Sequence, residues 1–128
     1  MQDLRVTIVQ ANQIWEDKKA NFTNYESLLQ GVETELIVLP EMFQTGFTMN
    51  AAVLAEKWDT SPSIIWLKKM SVKFNAAIYT SLIIEDRGIF NRGVFVEPDG
   101  SIHKYDKRKS FKLAGEHLTY SCGNQEVI

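Results

Sequence analysis

Hydrophobic positions along the chain recur at intervals of two, then of three and four, and finally at no fixed interval; these changes divide it into elements. Over residues 4–10, Leu4, Val6 and Ile8 fall on one side and Arg5, Thr7 and Val9 on the other, the alternation of a strand. From Asp17 the period lengthens. Phe22, Tyr25, Leu28, Leu29 and Val32 then describe one stripe of an amphipathic helix, capped near Asp17 and ended about Gly31. Four apolar residues in succession, Leu36, Ile37, Val38 and Leu39, leave no polar face and predict a strand covered on both sides. Pro40 ends it, having no N–H to give a ladder. Strand, helix and strand at this spacing predict a βαβ unit.

Residues 48–60 read as a connection of mixed character holding Met49, Leu54, Trp58 and a short helical turn, and a connection of that length is more often functional than idle. Ser61-Pro62 then opens a helix in the favoured order of cap and first-turn proline, with Ile64, Ile65, Leu67, Met70 and Val72 carrying it to Phe74. Residues 76–85, 90–97 and 101–105 read as strands. Asp86-Arg87-Gly88 is the turn after the first of them, and Pro98-Asp99-Gly100 is the tight turn after which 101–105 return on 90–97, so this part is a hairpin. Residues 106–123 show no period and read as a loop region, after which 125–128 begin a further strand in which the sequence stops.

Composition narrows the class without naming a function. With 128 residues, 45% of them hydrophobic and 23% charged, the chain fits one globular domain with a modest core. No apolar run approaches the ~18 residues of a membrane span, and no cleavable leader pattern precedes the first strand. The single cysteine allows no internal disulfide, so a reducing, cytoplasmic setting is expected. A net charge of −2 argues against nucleic acid as the main partner, and nothing calls for a membrane partner.

Three ionic positions stand out. Glu41 follows the buried strand and Pro40 inside a segment otherwise apolar (Met42, Phe43, Phe47). A carboxyl group there is expected to be partly desolvated, which suits a general base; the plainer reading is that it marks the strand's exit into water. Lys104, Lys107, Arg108, Lys109 and Lys112 crowd into one segment, read as a solvated basic stretch or a patch for an anionic partner. Glu116 sits between Gly115 and His117, nine residues after Lys107. No His, Cys and carboxylate spacing matches a structural zinc site, and no glycine-rich phosphate loop is present, so no metal or organic cofactor is expected.

Taken in order, Leu39-Pro40-Glu41-Met42-Phe43 with Thr45-Gly46-Phe47, then Tyr105-Asp106-Lys107-Arg108, then Ala114-Gly115-Glu116-His117, resemble the motifs of the nitrilase (carbon-nitrogen hydrolase) superfamily, and within it the omega-amidase branch. The opening Val6-Thr7-Ile8-Val9-Gln10 and the hairpin residues from Asn91-Arg92-Gly93 to Pro98-Asp99-Gly100 are similar as well, so the resemblance runs over essentially the whole chain. It implies an α/β fold, half of a four-layer α-β-β-α sandwich with a mixed sheet, and residues 1–128 as the N-terminal part of a single hydrolase domain. It also implies carbon-nitrogen bond cleavage by a glutamate, a lysine and a cysteine through a thioester, with a second glutamate steadying the lysine. Glu41, Lys107 and Glu116 match the first glutamate, the lysine and the second glutamate. Phe47, Arg108 and His117 beside them are the expected substrate-binding residues, the substrate being a small omega-amide of a dicarboxylic or 2-oxo acid.

The cysteine departs from the pattern. In the family it ends a further buried strand, whereas Cys122 comes only six residues after Glu116, before any such strand. The nucleophile is therefore expected beyond Ile128, and the chain alone to be inactive. A non-catalytic partner or regulatory fragment of the same fold is the alternative. Lys109 and Ser110, where relatives often carry histidine and leucine, are a smaller departure. The expected partners are the missing C-terminal half and, by resemblance only, a second copy in a homo-oligomer. Half a sandwich would leave a sheet face bare and the isolated chain prone to associate.

Overall fold

The computed structural model describes residues 2–126. Five strands are paired in the order β1 (Val6–Ile8), β2 (Leu36–Val38), β4 (Ala77–Glu85), β5 (Ile89–Val96) and β6 (Ile102–Asp106), and the two-residue β3 (Glu56–Lys57) joins the far end of β4. The first three strands of this order are parallel and the last three antiparallel, making the sheet mixed and the fold α/β. The parallel pairs follow from the crossovers, α1 (Lys18–Leu28) between β1 and β2 and α3 (Pro62–Phe74) before β4; the antiparallel ones follow from tight turns.

Local chemistry fixes the helix ends. Asp17 caps α1 by accepting from the Ala20 N–H, and Ser61 caps α3 by accepting from Ile64, with Pro62 next. Tyr25 of α1, Leu29 at its C-terminal cap, and Ile64, Leu67 and Met70 of α3 pack with Ile37, Ile78, Leu82, Val94 and Val96 of the sheet. A second, smaller cluster gathers Met42, Ala51, Ile83 and Tyr120.

Both long helices bury against one side of the sheet, and adjacent ladders show it. Thr7, Ile37, Ile78, Val96 and Ile102 lie in register, and the three in the middle are fully buried. The next ladder, Ile8, Val38, Tyr79, Phe95 and His103, points the other way, leaving Ile8 76% and Tyr79 48% exposed. The unbroken apolar run of β2 predicts two covered faces, but this chain supplies one cover, so Leu36 and Val38 remain only half-buried.

Other departures are local. The connection over 48–60 holds α2 (Ala51–Leu54) and β3, the latter too short to show a period. In the turn after β4, Arg87 takes the left-handed conformation (φ 57°). The aperiodic region 106–123 contains a 3-10 turn, Lys112–Ala114, and the single-turn helix α4 (Glu116–Thr119). Of the strand expected over 125–128, residues 127 and 128 lie outside the described range, and Gln125 and Glu126 are in no strand. Among the described residues, no helix is long and apolar enough to cross a membrane.

Candidate active site

After β2 the chain does not leave the sheet at once. It runs beside β4, filling the edge between β2 and β3. The Leu39 N–H donates to the Tyr79 carbonyl and the Phe43 N–H to the Ser81 carbonyl, while the Thr80 hydroxyl donates to the Pro40 carbonyl. These bonds hold residues 39–43 against a rigid strand and set Glu41 at its rim. Met42 takes a left-handed conformation (φ 47°) that a side chain with a Cβ disfavours. It is kept there by a fully buried side chain, by the Ser81 hydroxyl on its N–H, and by its carbonyl, which accepts from Thr45, Gly46 and Gln13. Gly46 at φ 80° allows the next turn; a Cβ there would sit 3.1 Å from the Trp15 ring.

Lys107 follows β6 directly. Its N–H donates to the Asn91 carbonyl and its own carbonyl accepts from the Gly123 N–H, an approach so close that a Cβ on Gly123 would run into the Asp106 carbonyl. Asp106 is gripped by Arg92 of β5 at 2.6 and 2.9 Å, a two-pronged ion pair that Asp86 extends at 3.1 Å. The Arg92 guanidinium, almost fully buried, lies over the Trp58 ring. The backbone from which Lys107 projects is thus fixed on both sides.

Three ionic groups meet at the Lys107 ammonium. Its Nζ is 2.8 Å from Glu41 Oε1 and 3.3 Å from Glu116 Oε1, and it stands 5.4 Å from the centre of the Phe47 ring. Glu116 on α4 is buried, and its other oxygen accepts the Phe111 N–H. Burial pulls the Lys107 pKa down, but hydrogen bonds and charge from Glu41 and Glu116 outweigh it and hold the ammonium above the ordinary lysine value. Tyr120 packs below, donating to the Thr48 carbonyl; burial, then the charges of Glu116 and Glu41, push its hydroxyl far above the ordinary tyrosine value.

The Glu41 side chain is 47% exposed, so the carboxyl stands half in water at the strand's exit. It faces a cavity of about 720 Å³ on the uncovered side of the sheet, over Tyr79, Ser81, Gly93 and Tyr105. Of the residues expected to bind substrate, Arg108 lines this cavity together with Lys109, and Phe47 is under the Lys107 ammonium. His117 is exposed on α4 and is not part of the lining, nor is Lys112. Cys122 is exposed, its Sγ 3.8 Å from the Ser110 hydroxyl, and is also outside the lining.

Asn91 was not among the expected site residues, yet it donates to Glu41 Oε1 at 2.7 Å. The available signal was two successive polar residues, Asn91 and Arg92, in mid-strand, each buried on its own face.

The family model for carbon-nitrogen hydrolases matches residues 5–125. An omega-amidase, YafV, from Yersinia enterocolitica is 40% identical over the whole of this chain and half of its own length, and the Escherichia coli K12 omega-amidase YafV is 38% identical over the same shares. Among solved structures, XC1258 from Xanthomonas campestris, a CN-hydrolase superfamily protein with an arsenic adduct in its active site, superposes with a TM-score of 0.93 at 35% identity. The superposition covers 99% of this chain and 49% of that one. Nit3 of Saccharomyces cerevisiae, at 23% identity and a TM-score of 0.80, shares the fold. The chain spans about half the length of the curated relatives it matches.

Proposed function

The chain belongs to the carbon-nitrogen hydrolase family, and from that membership we propose that it furnishes the charged half of an amidase site whose thiol comes from polypeptide outside residues 1–128. The observation that carries this reading is the Lys107 ammonium set between the carboxylates of Glu41 and Glu116 at the mouth of a cavity. In the reaction, Glu41 takes the proton of the incoming thiol, and the thiolate attacks the amide carbonyl. The oxyanion forms beside Lys107, a fixed positive charge in a site that covering the sheet makes dry; losing one such donor elsewhere costs ~2.7 to 4 kcal/mol. Collapse breaks the carbon-nitrogen bond, Glu41 returns the proton to departing ammonia, and water then hydrolyses the thioester. Glu116 holds Lys107 throughout.

Arg108 and Lys109 in the cavity lining favour a substrate that carries a carboxylate at the end away from its amide, and the likeness to omega-amidases points the same way. Residues 1–128 alone fit the second reading, a non-catalytic fragment, because their one cysteine is exposed and outside the cavity. Ammonia release from succinamate separates the two. The expected result is release by the chain joined to a cysteine-bearing half, and none by the chain alone. Turnover by the chain alone overturns the need for an outside thiol, and silence from both leaves the fragment reading in possession.

A further inference from the structure

Glu41 and Lys107 come from opposite ends of the site, one from the edge of β4 beyond β2 and one from the end of β6. One residue touches both. Asn91 of β5 donates its side-chain amide to Glu41 Oε1 at 2.7 Å, while its main-chain carbonyl accepts the Lys107 N–H at 3.0 Å. Oε1 also receives the Lys107 ammonium at 2.8 Å, so two donors converge on it. Among the described residues Oε2 of Glu41 accepts no hydrogen bond.

We propose that Asn91 is a positioning residue for the pair: it pins Glu41 by one oxygen and Lys107 by its backbone, and so dedicates Glu41 Oε2 to proton exchange with the attacking thiol. The last step rests on the amidase reading above; the pinning does not.

The unpaired oxygen of the same amide supports this. Asn91 Oδ1 is buried and has no partner, an arrangement that costs free energy. A residue serving only the strand would be better as an aliphatic, like its neighbour across the ladder, Ile83. Turning the amide over would set Oδ1 against the Glu41 carboxylate, so the carboxylate dictates the orientation and leaves the orphan behind. Asparagine rather than aspartate is required for the same reason: a carboxylate at 91 would repel Glu41 and compete for Lys107.

The test uses residues 1–128 joined to a cysteine-bearing half, as above, labelled with ¹⁵N at asparagine side chains. The Asn91 amide signal is expected to move on Glu41→Ala. In succinamate hydrolysis, Asn91→Ala and the nearly isosteric Asn91→Asp are both expected to lower kcat on the order of a hundredfold, with KM kept within about twofold. An amide signal indifferent to Glu41→Ala overturns the proposal whatever the enzyme does. Wild-type kcat in Asn91→Ala overturns the positioning role even if the signal moves. Absence of turnover in the unsubstituted protein removes the amidase reading instead, and the amide signal then decides on its own whether Asn91 holds Glu41.

Discussion

Lys107 Nζ lies 2.8 Å from Glu41 Oε1 although 66 residues separate the two in the chain. Neither side chain reaches across open space to do this. Glu41 is laid along β4 by main-chain bonds, Lys107 is held at the end of β6 by Asn91, Gly123 and the Arg92 grip on Asp106, and the sheet fixes the distance between those two backbones.

This contact carries a pH signature. The Lys107 ammonium is held above the ordinary lysine value, so its stabilising effect is fully present below the unfolded-state value near 10.5 and is lost as pH rises through the higher folded-state one. Urea midpoints measured from pH 9 upward should therefore fall more steeply in the unsubstituted protein than in Lys107→Met. Parallel curves would show that the pair contributes nothing to folding.

Glu56 supplies the opposite case. It is buried on β3, where it accepts from the Ser61 and Ser63 hydroxyls, the Ser63 N–H and the Lys18 ammonium, joining α1 to the start of α3. Burial raises its pKa, and the bonds from Ser61, Lys18 and Ser63 more than reverse that, holding it below the ordinary 4.5. Its contribution is present above the unfolded-state value and disappears as pH falls through the folded-state one. Glu56→Ala leaves Lys18 without its carboxylate partner and α3 without its anchor, and should cost about 3 kcal/mol at pH 7 in denaturant unfolding, with the gap narrowing as pH falls below the ordinary 4.5.

Arg92→Lys keeps the charge and loses the fork. A lysine cannot bond Asp106 at two atoms while reaching Asp86, so the end of β6 should loosen. Amide hydrogen exchange at Lys107 is expected to quicken about tenfold or more, the equivalent of ~1.4 kcal/mol of local opening. Unchanged exchange there would mean that Asn91 and Gly123 suffice to hold this backbone.

The uncovered sheet face predicts solution behaviour. Ile8 and Tyr79 belong to one ladder, Ile8 largely and Tyr79 about half exposed, with half-buried Val38 between them. An apolar face of this kind drives association. The isolated chain should bind a hydrophobic dye and elute as more than a monomer, and the double substitution Ile8→Glu, Tyr79→Glu should reduce both without disturbing the core under α1 and α3. A monomeric, dye-silent chain would contradict this.

Much of this architecture was legible in the residue order. Caps at Asp17 and Ser61, the change from helical to alternating period, and the glycine turn at Gly100 are statements about neighbours in sequence, and local chemistry enforces them. The motifs around Glu41, Lys107 and Glu116 could be read as one family's, and the structure brings the three side chains together. β3 escaped notice because two residues carry no period, and α4 because a single turn has no apolar stripe. Glu41 stays half in water because the apolar residues around it, Met42 and Phe43, turn into the core.

The sequence by itself determined the longer strands and helices, their caps and the identity of the charged residues, since each depends on periods and turns within a few residues. Only the tertiary structure decided that Asn91 joins Glu41 to Lys107, that Arg92 anchors Asp106, and that the ladder of Ile8, Val38 and Tyr79 is the one facing the bare side. Those depend on strand order and register across tens of residues, and a ladder shifted by one position would have turned every one of these side chains to the other face.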